Sequence, residues 1–241
     1  MVITNMDSTA DLNRVDINAT NWGELKKNVL RFCLNYLTRF GVAGSVVYVC
    51  WIGIVNYNYW FSWHVILSTF GYLPLMAESL MLFTGDEIWS RQMTRNAKYT
   101  IHGIIVALGT VMIICGNALV FHYIQPGYHL YTAHGITGLV SMILLILSLP
   151  VGLLIKYHKE TQRYLPIRPI LYKLSHNLLG ILGYAVGIVS LCYGFYTHWF
   201  VYYTSYESRI LALVVTILAS AWTLNGALVS LWHQVKSIFC N

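Results

Sequence analysis

Apolar residues along this chain run in blocks longer than a soluble fold needs. A stretch of about 18 or more residues with few charges reads as a membrane span. Six such stretches lie at 40–57, 60–83, 100–121, 131–155, 174–197 and 210–232. Trp51, Tyr57, Tyr59 and Trp60 flank the first junction as an interfacial aromatic belt. Pro74 within the second stretch predicts a kink, tolerable where neighbouring helices re-satisfy the freed backbone groups. The pattern predicts an all-α membrane protein with six transmembrane helices. Residues 1–36 form an amino-terminal segment, 37–235 the six-helix domain and 236–241 a short tail.

Charge orients these spans. The chain has 15 Lys and Arg, and Arg209 alone falls between spans on one side. Arg14, Lys26, Lys27, Arg31, Arg39, Arg91, Arg95 and Lys98 lie on the other, with Lys156, Lys159, Arg163, Arg168, Lys173 and Lys236. By the positive-inside rule both termini and the loops 84–99 and 156–173 are cytosolic. The sequon at Asn18 is then on the wrong side for glycosylation. Charged residues make up 10% of the chain and mean hydropathy is +0.58, against about 25% charged in soluble domains. The net charge of +6 reflects few acids rather than a basic tract, which argues against nucleic-acid binding. The first 36 residues lack an apolar core with a small-residue cleavage site, so no signal peptide is expected. The five cysteines, Cys33, Cys50, Cys115, Cys192 and Cys240, show no C-x-x-C pair and read as small buried hydrophobes. Palmitoylation of Cys240 is the alternative for that residue.

Four of the nine histidines, His64, His102, His134 and His176, fall just inside the starts of spans two to five. Consecutive spans run in opposite directions. His64 and His134 therefore share the non-cytosolic end, and His102 and His176 the cytosolic end, about 20 Å away along the membrane normal. One membrane histidine commonly does no more than hydrogen-bond across helices. Four in one relative position ask for more. The positions four and seven residues on are Ser68 and Gly71, Val106 and Gly109, Gly138 and Ser141, and Gly180 and Gly183. Seven of these eight are Gly or Ser, which together account for 33 of 241 residues. Small residues one and two turns from an axial imidazole make room for a flat macrocycle. Two bis-histidine haems follow, His64 and His134 holding one iron, His102 and His176 the other, with Gly138 and Gly180 against the rings. A structural zinc site would want four ligands together rather than two and two.

These residues resemble the cytochrome b561 family of transmembrane reductases. The matching stretches are Phe61-Ser62-Trp63-His64, Met76-Ala77-Glu78-Ser79-Leu80, Lys98 with His102-Gly103, His134-Gly135 and Leu171-Tyr172-Lys173-Leu174-Ser175-His176. Their order covers about 60 to 200, and the short form is most similar to the b561-domain-containing protein 2 branch. The resemblance implies a central four-helix bundle holding two haem b groups, often in a homodimer, in an endomembrane or vesicle membrane rather than the plasma membrane. It implies cytosolic ascorbate as one-electron donor, and monodehydroascorbate or a ferric chelate as acceptor on the far side. Two departures stand out: Val65 follows the first ligand where the family commonly has Pro, and Ser79 through Gly85 replaces an Arg-containing run. The second bears on the identity of the donor.

An anionic donor calls for cations near the inner haem. Lys98 and Lys173, one turn and three residues before their histidines, supply them as point charges. Arg95 and Arg168 read as positive-inside anchors. His122 ends the third span twelve residues before His134, a placement similar to the family position that contacts substrate or metal on the far face. His129 and His198 lie in the neighbouring loops, and His158 and His233 at the cytosolic helix ends. Glu78, an intramembrane carboxylate, is a functional candidate by its position alone. It accepts a proton as ascorbate is oxidised, pairs with a cation, or stays protonated as a structural group, and the sequence leaves all three open. The alternative to a di-haem enzyme is a polytopic metal-ion transporter with membrane histidines as transit ligands. Such a pathway would call for more intramembrane carboxylates than Glu78 alone.

Overall fold

The computed structural model describes residues 8–84, 90 and 92–239, with side chains described from Trp22 onward. Arg14, Asn18, Gly85, Arg91 and Cys240 lie outside the described residues or side chains. Two units are distinguished, 1–37 and 38–241. Helix α1 (Ser8–Val55) runs through both. No proline interrupts it, so the expected amino-terminal segment is already helical from Ser8. On that segment Lys27 pairs with Glu24 one turn away, at 3.0 Å.

Among its described residues the second unit is all helical. The end of α1 leads to α2 (Tyr59–Phe70), a π-helical turn (Gly71–Met76) and α3 (Ala77–Met81). Next come α4 (Arg95–Tyr123), α5 (Ala133–Lys156) and the short α6 (His158–Thr161). Then follow α7 (Pro169–Gly194), the short α8 (His198–Tyr203) and α9 (Tyr206–Phe239). Thr94 and Thr132 cap α4 and α5, accepting from the backbone N–H of Ala97 and Gly135. Pro169 opens α7 at the one helical position where a missing N–H costs nothing. Among the described residues, five segments are long and apolar enough to cross a membrane: Trp22–Val55, Arg95–Tyr123, Ala133–Lys156, Pro169–Gly194 and Tyr206–Phe239. The expected second span is helical from Tyr59 to Met81 but divided by the π turn, so no single helix there reaches that length.

Packing inverts the soluble pattern. Val47, Ile104, Leu211 and Leu218 are each more than 60% exposed, whereas Ser62, Thr110, Ser141 and Thr216 are completely buried. Lipid gives apolar side chains no reason to hide, so helices meet along small and hydroxyl-bearing residues. At the bundle centre the Tyr72 hydroxyl donates to Ser141 (2.7 Å), which donates to the Gly183 carbonyl (2.6 Å). Outside this core, Thr216 of α9 donates to Ser45 of α1 (2.9 Å), and Asn177 of α7 to the Ala227 carbonyl of α9 (3.1 Å).

The π turn is the physical response to Pro74. Proline has no N–H and its ring collides with the carbonyl four residues back. A π turn widens the helix by one residue there and relieves both faults. Gly71 opens this turn tight against α4, where a Cβ would lie 2.6 Å from Ile113 Cγ1 and 2.9 Å from the Gly109 carbonyl. Because the π turn absorbs one residue, α3 resumes in the phase that an unbroken helix one residue shorter would have. Deleting Pro74 should therefore leave a straight helix in register, with a thermal midpoint in detergent within a few degrees of the parent. Deleting Leu108, an exposed α4 residue, should rotate the rest of α4 by about 100° and abolish cooperative unfolding. Equal damage from the two deletions would contradict this register argument.

Candidate functional site

The four span-start histidines form two facing pairs. His64 of α2 meets His134 of α5 with ring centroids 6.0 Å apart and planes at 80°, and His102 of α4 meets His176 of α7 with the same separation and angle. A metal–imidazole bond is about 2.0–2.1 Å, and two of these plus the two ring radii account for that separation. Each pair could thus hold one metal ion between its rings. Among the described residues, no three His, Cys, Asp or Glu side chains gather as a larger metal cluster.

The outward ring nitrogens fix which nitrogen is available. His64 Nδ1 donates to the Gly116 carbonyl of α4 (3.0 Å), and His102 Nδ1 of α4 donates back to the Ser79 carbonyl of α3 (3.1 Å). Likewise His134 Nδ1 donates to Ser190 of α7 (2.8 Å), and His176 Nδ1 of α7 to Ser148 of α5 (3.1 Å). A carbonyl oxygen only accepts, so all four Nδ1 atoms carry the proton and all four Nε2 atoms keep a lone pair. This arrangement suits a metal-ligating histidine, since the second hydrogen bond sets tautomer, orientation and basicity.

A repeat underlies these bonds. Each helix carries a histidine near its start and, further on, the carbonyl that holds the histidine of its antiparallel neighbour. The spacing is fourteen residues from His102 to Gly116, His134 to Ser148 and His176 to Ser190, and fifteen from His64 to Ser79. The fifteenth residue is the one the π turn absorbs. All four acceptor positions are Gly or Ser, and at Gly116 a Cβ would lie 2.9 Å from Ser68 Oγ. Fourteen residues of helix rise about 21 Å, which sets the axial distance between the pairs.

The small residues four and seven positions beyond each histidine divide into two groups. Gly71, Gly109, Ser141 and Gly183, two turns on, lie in helix-to-helix contacts. One turn on, Ser68 and Gly138 line a cavity of about 380 Å³ beside His64 and His134, and a Cβ at Gly180 would meet no atom within 4 Å. Two further glycines lie against the imidazoles. A Cβ at Gly152 would lie 3.0 Å from His176 Cε1, and one at Gly194 3.4 Å from His134 Cε1. Both fall eighteen residues, five full helical turns, after a pairing histidine on their own helix, a signal the sequence does contain.

The other candidates lie toward the two ends. Lys98, half-buried, sits in the first turn of α4, and Lys173 is exposed in the first turns of α7. Lys156, counted from sequence only as an anchor, donates to Thr100 Oγ1 (3.2 Å), two residues before His102. At the other end His122 is exposed, its ring edge-on to Tyr123. His129 instead lines the cavity beside His64 and His134, with Nε2 donating to the Ile124 carbonyl (2.8 Å). His198 is exposed at the start of α8. Glu78 is ion-paired with Arg39, Nε to Oε1 at 2.7 Å and Nη2 to Oε2 at 3.0 Å.

Residues 63–201 match the family model described as eukaryotic cytochrome b561. The chain is 30% identical over 167 residues to the transmembrane reductase CYB561D2 of Mus musculus, covering 68% of this chain and 74% of that protein. The Homo sapiens and Bos taurus proteins of the same name are each 29% identical over the same coverage. No solved structure matches. One prediction separates the imidazole contacts from general packing. Gly152→Val should lower haem content per chain, read from the Soret absorbance, because its side chain displaces His176. Gly44→Ala, where a Cβ meets nothing within 4 Å, should leave haem content unchanged and raise stability by about 0.5–1 kcal/mol.

Proposed function

Because the chain belongs to the eukaryotic cytochrome b561 family, we propose that it is a transmembrane di-haem oxidoreductase. It moves single electrons from cytosolic ascorbate to monodehydroascorbate or a ferric chelate on the far side. The observation that carries this reading is the close pair of imidazoles at each end of the bundle, with every Nδ1 bonded to a carbonyl and every Nε2 left with a lone pair. Haem b bound at each pair supplies a one-electron iron couple, and two axial histidines suit that couple to electron transfer rather than oxygen binding. Ser68, Gly138 and Gly180 leave space for the ring faces, while Tyr72 and its bond to Ser141 fill the bundle centre between the pairs.

In this reading the helical run Tyr59–Met81 counts as the second of six crossings. Its 23 residues rise about 35 Å, more than a hydrocarbon core of about 30 Å. Both termini then lie in the cytosol, with Lys98, Lys173 and Lys156 around the His102–His176 end. These cations raise the local concentration of an anionic reductant. The opposite end offers imidazoles, with His122 exposed and His129 on the cavity wall, and receives an acceptor that tolerates nitrogen ligands.

Proteoliposomes of known orientation test the proposal. Ascorbate on the cytosolic side should reduce both haems and then a ferric chelate across the membrane. Lys98→Ala should slow the first step and weaken its salt dependence, since screening acts only where a fixed charge attracts. Reduction from the opposite side alone would overturn the direction, and absence of haem would overturn the class.

A further inference from the structure

Three of the four carbonyls that hold the histidines sit inside long helices: Gly116 in α4 (29 residues), Ser148 in α5 (24) and Ser190 in α7 (26). Ser79 is the exception. It lies in α3, five residues long, between the π turn and the helix end at Leu82. The last turn of a helix frays more readily than its interior. Ser79 is 1% exposed and its hydroxyl turns back to the Met76 carbonyl (2.8 Å), leaving its own carbonyl toward His102. The residue covalently before it, Glu78, accepts both prongs of the Arg39 guanidinium from α1. A two-pronged bond of this kind fixes orientation as well as distance. The weakest-held acceptor is thus the one with a fork from another helix beside it.

We propose that the Arg39–Glu78 ion pair is a positioning lock: by holding α3 against α1 it fixes the Ser79 carbonyl that orients His102, and so sets the reduction potential of the haem held by His102 and His176. Neither Arg39 nor Glu78 ligates the iron in this account. Both act through the backbone at Ser79. A firm Nδ1–H···O=C bond makes the imidazole a stronger donor and favours the ferric state. Loosening it raises the potential. The inference rests on the bis-histidine reading above and is distinguishable from it.

Potentiometric titration of purified Arg39→Gln, Glu78→Gln and the double variant provides the test. The haem held by His102 and His176 is identified as the one lost in His102→Ala. Both single variants should raise the midpoint of that haem, by about tenfold in the reduction equilibrium, or about 59 mV. The double variant should shift it no further, and the other haem should not move. Arg39→Lys, which keeps the charge but loses the fork, should shift it in the same direction. If the pair acted only through its charges, loss of the cation would lower the potential and loss of the anion raise it, with cancellation in the double variant. That result, or no shift in any variant, overturns the lock while leaving the bis-histidine reading intact. A parent protein without two titrating haems overturns the reading itself.

Discussion

The hydrogen bond from each imidazole Nδ1 to a backbone carbonyl of the antiparallel neighbour organises this bundle. It joins α2–α3 to α4 at both ends and α5 to α7 at both ends, using the same groups that leave four Nε2 atoms free. The two hairpins then need only approach until His64 faces His134 and His102 faces His176. The four acceptor positions are all Gly or Ser, small residues that let the paired helices approach.

The small and hydroxyl residues between the pairs complete the design. In lipid they provide the close approach that apolar burial provides in water. The chain from Tyr72 through Ser141 to Gly183 lies at mid-height and ties the two hairpins together. The π turn belongs to the same logic. The extra residue between His64 and Ser79 would otherwise throw α3 out of phase with its three counterparts, and the π turn that absorbs it returns the Ser79 carbonyl to His102.

Much of this is legible in the residues, and what is not has a physical reason. Span direction alone puts His64 with His134 and His102 with His176, because helices that start with a histidine alternate in direction. The acceptors were harder to see: a backbone carbonyl carries no residue signature, and only the fourteen-residue spacing to Gly116, Ser148 and Ser190 betrays it. Small residues four and seven positions on look alike in sequence but differ in role, open space at Gly180 and helix contact at Gly71 and Gly183. Pro74 signals a disturbed helix, yet the π turn that answers it is not written in the local pattern. Arg39 reads from sequence as one more cytosolic anchor, and Glu78 as a carboxylate with three open roles. Their pairing is set by tertiary structure that local pattern does not reach.

The central claim is that each facing pair of Nε2 atoms takes one iron. Haem stoichiometry by pyridine haemochromogen, with EPR of the oxidised purified chain, tests it most directly. The account predicts two haems b per chain, both low-spin with two imidazole ligands, and distinct signals for the two ends. One haem per chain, or a high-spin centre with an open coordination position, would contradict it.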